Sequence, residues 1–196
     1  MDLAVIALTF GAIFLVELPD KTFLATLVLA TKYRPVLVWI GVGLAFAVQT
    51  GVAVALGHAA SYLPQDLVRG LAAALFAFGA VLLFREARSH EEASGEEYDA
   101  KARPATGLKA VGASFLVLFA AEWGDLSQLL TMSLVAKYEA PVSVFLGALG
   151  ALLVVSGLAV IVGRTLLRWV KLSVLHYLGA AVCAVLAVLT VVEIVA

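Results

Sequence analysis

The chain has 196 residues, of which 63% are hydrophobic and 14% charged, and a formal charge of −1. Soluble domains run to roughly half apolar and about a quarter charged, so a mean hydropathy of +1.07 excludes a water-soluble fold. No basic face stands out for a nucleic-acid partner, and one cysteine, Cys183, excludes an intrachain disulfide.

Crossing roughly 30 Å of hydrocarbon takes about 20 apolar residues in a helix, and six such runs follow one another. The first, 3–31, starts behind Met1-Asp2 with no basic stretch, so it reads as a retained membrane helix and not a cleaved signal peptide. The second, 36–57, carries Gln49 and Thr50, and the third covers 67–84. A hydrophilic segment, 85–107, holds Glu91, Glu92, Glu96, Glu97 and Asp99 and reads as a solvated linker. The remaining runs are 108–136, 142–163 with Ser156, and 173–195.

If these runs are spans, ten basic residues fall on one side: Lys32, Arg34, Arg85, Arg88, Lys101, Arg103, Lys109, Arg164, Arg168 and Lys171. Arg69 and Lys137 fall on the other. Basic residues collect on the cytoplasmic side, so both termini are expected outside the cytoplasm and the acidic linker inside. Trp39 and Trp169 then lie near the cytoplasmic interface, where aromatic belts form. With no targeting stretch ahead of the first run, a bacterial plasma (inner) membrane is the expected location.

The two halves resemble each other. A shift of 105 residues aligns Glu17-Leu18-Pro19-Asp20-Lys21-Thr22 with Glu122-Trp123-Gly124-Asp125-Leu126-Ser127, Thr26 with Thr131, and Lys32-Tyr33 with Lys137-Tyr138. With one inserted residue, Gly41 meets Gly147, Gly51 meets Gly157 and Gly57 meets Gly163. Three spans per half is an odd number, so the halves are expected upside down relative to one another, the arrangement of many transporters. The expected fold is therefore an all-α integral membrane protein with six transmembrane helices in two inverted three-helix repeats, 1–84 and 108–196.

The repeated hexapeptide places charge deep in the first and fourth spans. A central charge costs roughly 2.5 to 3.5 kcal/mol on insertion scales, so Glu17, Asp20, Lys21, Glu122 and Asp125 left unpaired would cost on the order of 15 kcal/mol. Positions i and i+3 share a helix face, so each Glu-x-x-Asp aims two carboxylates one way, and the two spans together build a four-carboxylate cage. All-oxygen sets suit hard divalent ions such as Mg2+, Ca2+ and Mn2+. Thr22, Ser127 and Gln128 follow and can add neutral oxygens or simply bond neighbouring helices. Pro19 removes the bond to the Leu15 carbonyl, making that oxygen a further candidate, and Gly124 makes unwinding easy at the matching point. Lys21 is either the counter-charge of the ion-free site or a snorkelling side chain.

Fully ionised, four carboxylates and Lys21 carry −3, and a bound divalent ion leaves −1. Crowded like charges in a low dielectric favour proton uptake, so a site holding either protons or a metal ion is the minimum for cation/proton exchange.

Two copies of Glu-x-Gly-Asp-(Lys/Arg)-(Ser/Thr), one per three-helix half with an acidic linker between, resemble the UPF0016 or Gdt1 family of cation transporters. The resemblance implies export of Mn2+, with Ca2+ handled by some members, in exchange for protons, and carries ligand roles to Glu17, Asp20, Glu122 and Asp125. This chain departs from the pattern at Pro19, where Gly is usual, and at Leu126, where a basic residue is usual. The implied partners are the transported ion, protons and the lipid bilayer, with no resident cofactor and no enzymatic activity.

Other readings differ in what they need. An exporter of a small organic solute such as an amino acid needs several buried cations, and only Lys21 is central. An intramembrane aspartyl protease needs two aspartates sharing a proton, which the paired Glu and the repeat do not suit. A passive channel is disfavoured by tight four-carboxylate binding. His58 and His176 fall near span ends and read as interfacial. Gln49, Thr50 and Ser156 either line a path or satisfy neighbouring helices.

Overall fold

A computed structural model describes residues 1–18, 21–60, 62, 64–88, 106–169 and 172–195. The elements among them are all helices. The first half holds α1 (Leu3–Glu17), α2 (Lys21–Lys32), α3 (Pro35–Ala60) and α4 (Gln65–Arg88). The second holds α5 (Leu108–Ala121), α6 (Leu126–Tyr138), α7 (Pro141–Trp169) and α8 (Leu172–Val195).

Among the described residues, six apolar runs become eight helices because the first and fourth are each broken. α1 and α2 meet at 71°, α5 and α6 at 73°. A hydropathy window counts apolar residues and is blind to direction, so the sequence shows each run's length but not its bend. Both breaks fall at the repeated acidic motif. In the second half the turn uses Gly124 at φ +80, a conformation that a Cβ makes costly. In the first half, Pro19 and Asp20 lie outside the described residues.

Among the described residues, two helices are long and apolar enough to cross a membrane, Pro35–Ala60 and Pro141–Ile161. Counting each bent pair as one span brings the number to four. The third and sixth expected runs correspond to α4 and α8, whose described apolar stretches, Gly70–Arg85 and Ala180–Val192, are shorter. α4 also continues to Arg88, past the expected linker boundary at 85, and most of the acidic linker lies outside the described residues.

Local chemistry explains several helix ends. The Asp2 carboxylate accepts from the N–H groups of Ala4 (2.9 Å) and Val5 (3.3 Å), capping α1. The Asp2 N–H donates to Ser143 Oγ at 2.9 Å, tying the start of α1 to the start of α7. Pro35 and Pro141 open α3 and α7 at the first helical position, where a missing N–H costs nothing. α6 ends at Glu139 in the left-handed region (φ 50), its N–H bonded to the Val135 carbonyl.

α3 and α7 pack against each other, and each runs beside the broken pair of the opposite half. A Cβ on Gly41 would press on the Val111 carbonyl and stand 2.9 Å from Ser114 Cβ and 3.2 Å from the Phe115 nitrogen. A Cβ on Gly147 would press on the Ile6 carbonyl and stand 2.9 Å from Thr9 Cβ and 3.2 Å from the Phe10 nitrogen. Ile6, Thr9 and Phe10 are the residues 105 places before Val111, Ser114 and Phe115, so the sequence register reappears as one seam built twice. The ring pairs repeat as well: Phe10 stacks on Phe14 at 5.8 Å, and Phe115 on Phe119 at 5.4 Å. Small residues let helix backbones approach closely where apolar burial offers no drive.

Further along α3, Gly57 lies against Met132 and Val135 of α6. The 16 residues from Gly41 to Gly57 rise about 24 Å, so α3 spans α5, the break and α6 in turn. Midway, the Gln49 amide donates to the Phe119 carbonyl at 2.9 Å. The second helix break thus stands at about half the height of α3. Large apolar side chains such as Leu44, Val48, Leu56, Phe78, Val81 and Val188 face outward, as a lipid environment allows.

Trp39, expected at an interface, is 40% exposed and donates its indole N–H to the Leu153 carbonyl of α7 at 3.0 Å. The side chain of Trp169 lies outside the described part. His58 packs edge-on against Tyr62, 5.4 Å between rings, at the exposed end of α3. His176 is a residue of α8 whose side chain is not among those described.

Candidate functional site

The second break is held by hydrogen bonds on both of its rims. The Glu122 N–H closes α5 on the Leu118 carbonyl at 3.0 Å, and the Asp125 N–H bonds the Glu122 carbonyl at 3.2 Å. Asp125 then caps α6, its carboxylate accepting from the Ser127 N–H at 3.3 Å. The Gln128 side chain reaches back to accept from the Gly124 N–H at 3.0 Å, a variant of the reciprocal capping box. These bonds tighten a four-residue turn with Glu122 inside, 4% exposed, and Trp123 outside, 60% exposed. The Trp123 ring rests on Phe119 at 5.0 Å.

The first break brings its own carboxylate to the same place. Glu17, the last residue of α1, is fully buried, and Thr22 in the first turn of α2 is 2% exposed. The Thr22 hydroxyl donates toward Glu17 Oε2 at 3.0 Å and Glu122 Oε1 at 2.7 Å. A hydroxyl has one hydrogen, so it serves one carboxylate at a time.

Glu17, Glu122 and Asp125 each offer an oxygen, and the three lie within 4.8 Å of one another. Oxygens on opposite sides of one Ca2+, at about 2.3 to 2.6 Å each, stand about 4.6 to 5.2 Å apart. The spacing therefore fits one hard divalent ion held between the halves. The donors are carboxylates and a hydroxyl, with no sulfur or imidazole among the described residues of the cluster.

Of the residues singled out in the sequence, Glu17, Thr22, Glu122 and Asp125 come together. Asp20 lies outside the described residues. Lys21 opens α2, but its side chain is outside the described part. Leu15 falls in the last turn of α1, and the residue four places on, Pro19, is not described either. Ser127 is buried at 6% and Gln128 is partly buried; both line a small cavity beside Glu122. The oxygen of Gln128 is engaged at Gly124.

That cavity, about 10 Å3, is lined by Gln49, Thr50, Glu122, Ser127, Gln128 and Thr131, with Phe46 and Leu152 completing its wall. It has room for about one water. Gln49 and Thr50, undecided from the sequence, belong to it, whereas Ser156 bonds the Leu153 carbonyl of its own helix. Thr131 was not read as a site residue; its pairing with Thr26 in the repeat was the available signal. Its hydroxyl donates to the Ser127 carbonyl at 2.7 Å.

The sequence profile described as divalent cation/proton antiporter GDT1 matches the chain twice, over residues 5–91 and 110–196. The chain is 30% identical over 206 residues to a chloroplastic PAM71-homolog of Arabidopsis thaliana, covering 92% of this chain and 57% of that protein. A chloroplastic GDT1-like protein 1 of Oryza sativa subsp. indica is 29% identical over 214 residues, covering 96% of this chain and 62% of its own length. A GDT1-like protein of Synechocystis is 35% identical over 136 residues, 63% of this chain and 66% of that protein. The chain thus spans 57 to 62% of the length of these two plant relatives. No solved structure matches it. With both halves matched by one profile and the acidic motif of each half at a helix break, the chain belongs to the GDT1 family of divalent cation/proton antiporters.

Proposed function

We propose that the chain exchanges a divalent cation for protons across a membrane, exporting Mn2+, with Ca2+ as the alternative cargo, and that Glu17, Asp20, Glu122 and Asp125 hold ion and protons in turn. The observation that carries this reading is the meeting of Glu17 and Glu122, one buried carboxylate from each half, across the Thr22 hydroxyl. Two carboxylates sharing too few protons are a poor resting state without a cation and a good ligand pair with one. Protons leave as the ion enters and return as it departs, which is exchange at one site. Thr22 belongs to this site as the hydroxyl that lies between the two glutamates and donates to one of them at a time. Ser127 and Gln128 act beside it, Gln128 by holding the turn.

The proposal includes the arrangement: six transmembrane helices in two inverted halves, with both termini outside the cytoplasm and the acidic linker inside, in the plasma membrane. The repeated seam at Gly41 and Gly147 and the ten-to-two distribution of basic residues support it. Export of an organic solute is not favoured, since the profile that matches both halves describes divalent cation/proton antiporters.

The test is flux into liposomes under an imposed pH gradient, following Mn2+ and Ca2+ for the parent, Glu122→Gln and Asp125→Asn. Proton-driven flux that Glu122→Gln abolishes is the expected result. A parent that moves neither ion, or a Glu122→Gln variant that matches it, sinks the proposal, and amino-acid counterflow becomes the next assay.

A further inference from the structure

The repeat makes every residue near the carboxylates comparable with its counterpart: Thr50, Ser127 and Thr131 meet the polar Ser156, Thr22 and Thr26, while at Gln49 and Gln128 the halves part company. On the α6 side of the site, toward Lys137, the cavity beside Glu122 is lined by Gln49, Thr50, Ser127, Gln128 and Thr131. On the α2 side, toward Lys32, the counterparts of Gln49 and Gln128 are Val155 and Phe23. Val155 and Phe23 pack with Leu18 and Ala159 into a buried apolar cluster, with Phe14, Leu24 and Leu158 against it. Phe23 is 1% exposed, Val155 2% and Ala159 0%. The contrast extends to one bond: Gln49 donates to the Phe119 carbonyl, while its counterpart Val155 shares the apolar cluster with Phe14, the counterpart of Phe119.

Gln128 adds a second observation. Its oxygen is taken by Gly124, but its amide nitrogen is buried with no hydrogen-bond partner among the described residues. A buried donor without a partner is costly, and one beside a cavity with room for about one water is placed to meet a water there. An ion shedding its hydration shell needs such polar surroundings, whereas an apolar cluster repels it.

We propose that cations reach and leave the carboxylates in this conformation through the cavity between α3 and α6, with Gln49 and Gln128 as its specific polar lining. Phe23 and Val155 are the seal on the opposite side. The route rests on the antiporter reading for what passes, but not for its test. With the expected orientation, the polar route faces away from the cytoplasm and the seal faces the cytoplasm. The repeat supplies two equivalent positions, and substitution has made one a passage and the other a stopper.

The experiment uses Ag+, an ion-sized thiol probe, on the full chain in liposomes with Cys183→Ala as background. Thr50→Cys reports the cavity and Val155→Cys the apolar cluster. Modification is scored by loss of maleimide labelling after unfolding. Since a charge in a hydrocarbon setting is disfavoured by several kcal per mole, Thr50→Cys should react about a hundredfold faster than Val155→Cys, and only from the Lys137 face. Equal rates, or faster reaction at Val155→Cys, overturn the route. Transplanting the seal into the cavity with Gln49→Val and Gln128→Phe should bring the Thr50→Cys rate down to that of Val155→Cys, and an unchanged rate overturns the role of the two glutamines. Labelling needs no transport: if Thr50→Cys labels as expected while the parent carries no Mn2+, the antiporter reading is removed and the route is kept. Elution as a single species in detergent selects the variants that enter the comparison.

Discussion

The seam between α3 and α5 and the seam between α7 and α1 are nearly superimposable, down to 2.9 and 3.2 Å at the two glycines. Some two helical turns further along, the same helices enclose a polar cavity in one half and an apolar cluster in the other. The difference separates two kinds of constraint. Where backbones touch, a methyl group has nowhere to go in either half, so the pair stays matched. Around the carboxylates each half needs only its own chemistry, and Gln49 and Val155, or Gln128 and Phe23, can diverge in size and polarity within one backbone path.

The largest effect should come from the shared site. Under the proposed function, Glu17→Gln and Glu122→Gln each remove a ligand charge, and ligand charge count sets the affinity of such sites. Mn2+ flux should fall by about a hundredfold or more in both, since one hydroxyl joins them. A variant that loses flux in one half only would show that the halves are not partners.

Next come the seams. Gly41→Leu and Gly147→Leu overpack a backbone contact, each at a cost of about 1 to 3 kcal/mol or more. Thermal unfolding in detergent should show two similar downward shifts, and a silent Gly147→Leu would break the match. Replacing the bridging hydroxyl is smaller: Thr22→Val should slow Mn2+ flux about tenfold, in the range of lost outer partners of a metal site. Its counterpart Ser127→Ala should change flux by less than about twofold, because among the described residues its hydroxyl makes no such bridge between carboxylates. Equal losses would restore symmetry to the site. The smallest effect is Gly124→Ala, which puts a Cβ at φ +80 and costs about 1 kcal/mol, read as a lowered melting temperature.

Much of this was legible in the sequence. The apolar runs, the 105-residue register and the depth of Glu17, Glu122 and Asp125 are all one-dimensional facts, and they place the helices and bring the carboxylates together. Gly124 announced a weak point in its run. What could not be read is direction. A run of apolar residues looks the same straight or bent by 73°, and nothing in the repeat told which of the paired hydroxyls, Thr22 or Ser127, lies between the two glutamates. Gln49 and Ser156 were equally ambiguous polar residues in apolar spans. Only the neighbouring Phe119 carbonyl and the helix's own Leu153 carbonyl tell them apart.

The Thr22 hydroxyl also makes the site observable. Its single hydrogen has claimants in both halves, so its O–H vibration reports on the bond between them. When a cation takes up the carboxylate oxygens, the hydroxyl can turn a lone pair to the metal, and its hydrogen must point elsewhere. An infrared difference spectrum between metal-loaded and metal-free protein, with Thr22→Val as the blank, would then follow the junction of the halves through one oscillator.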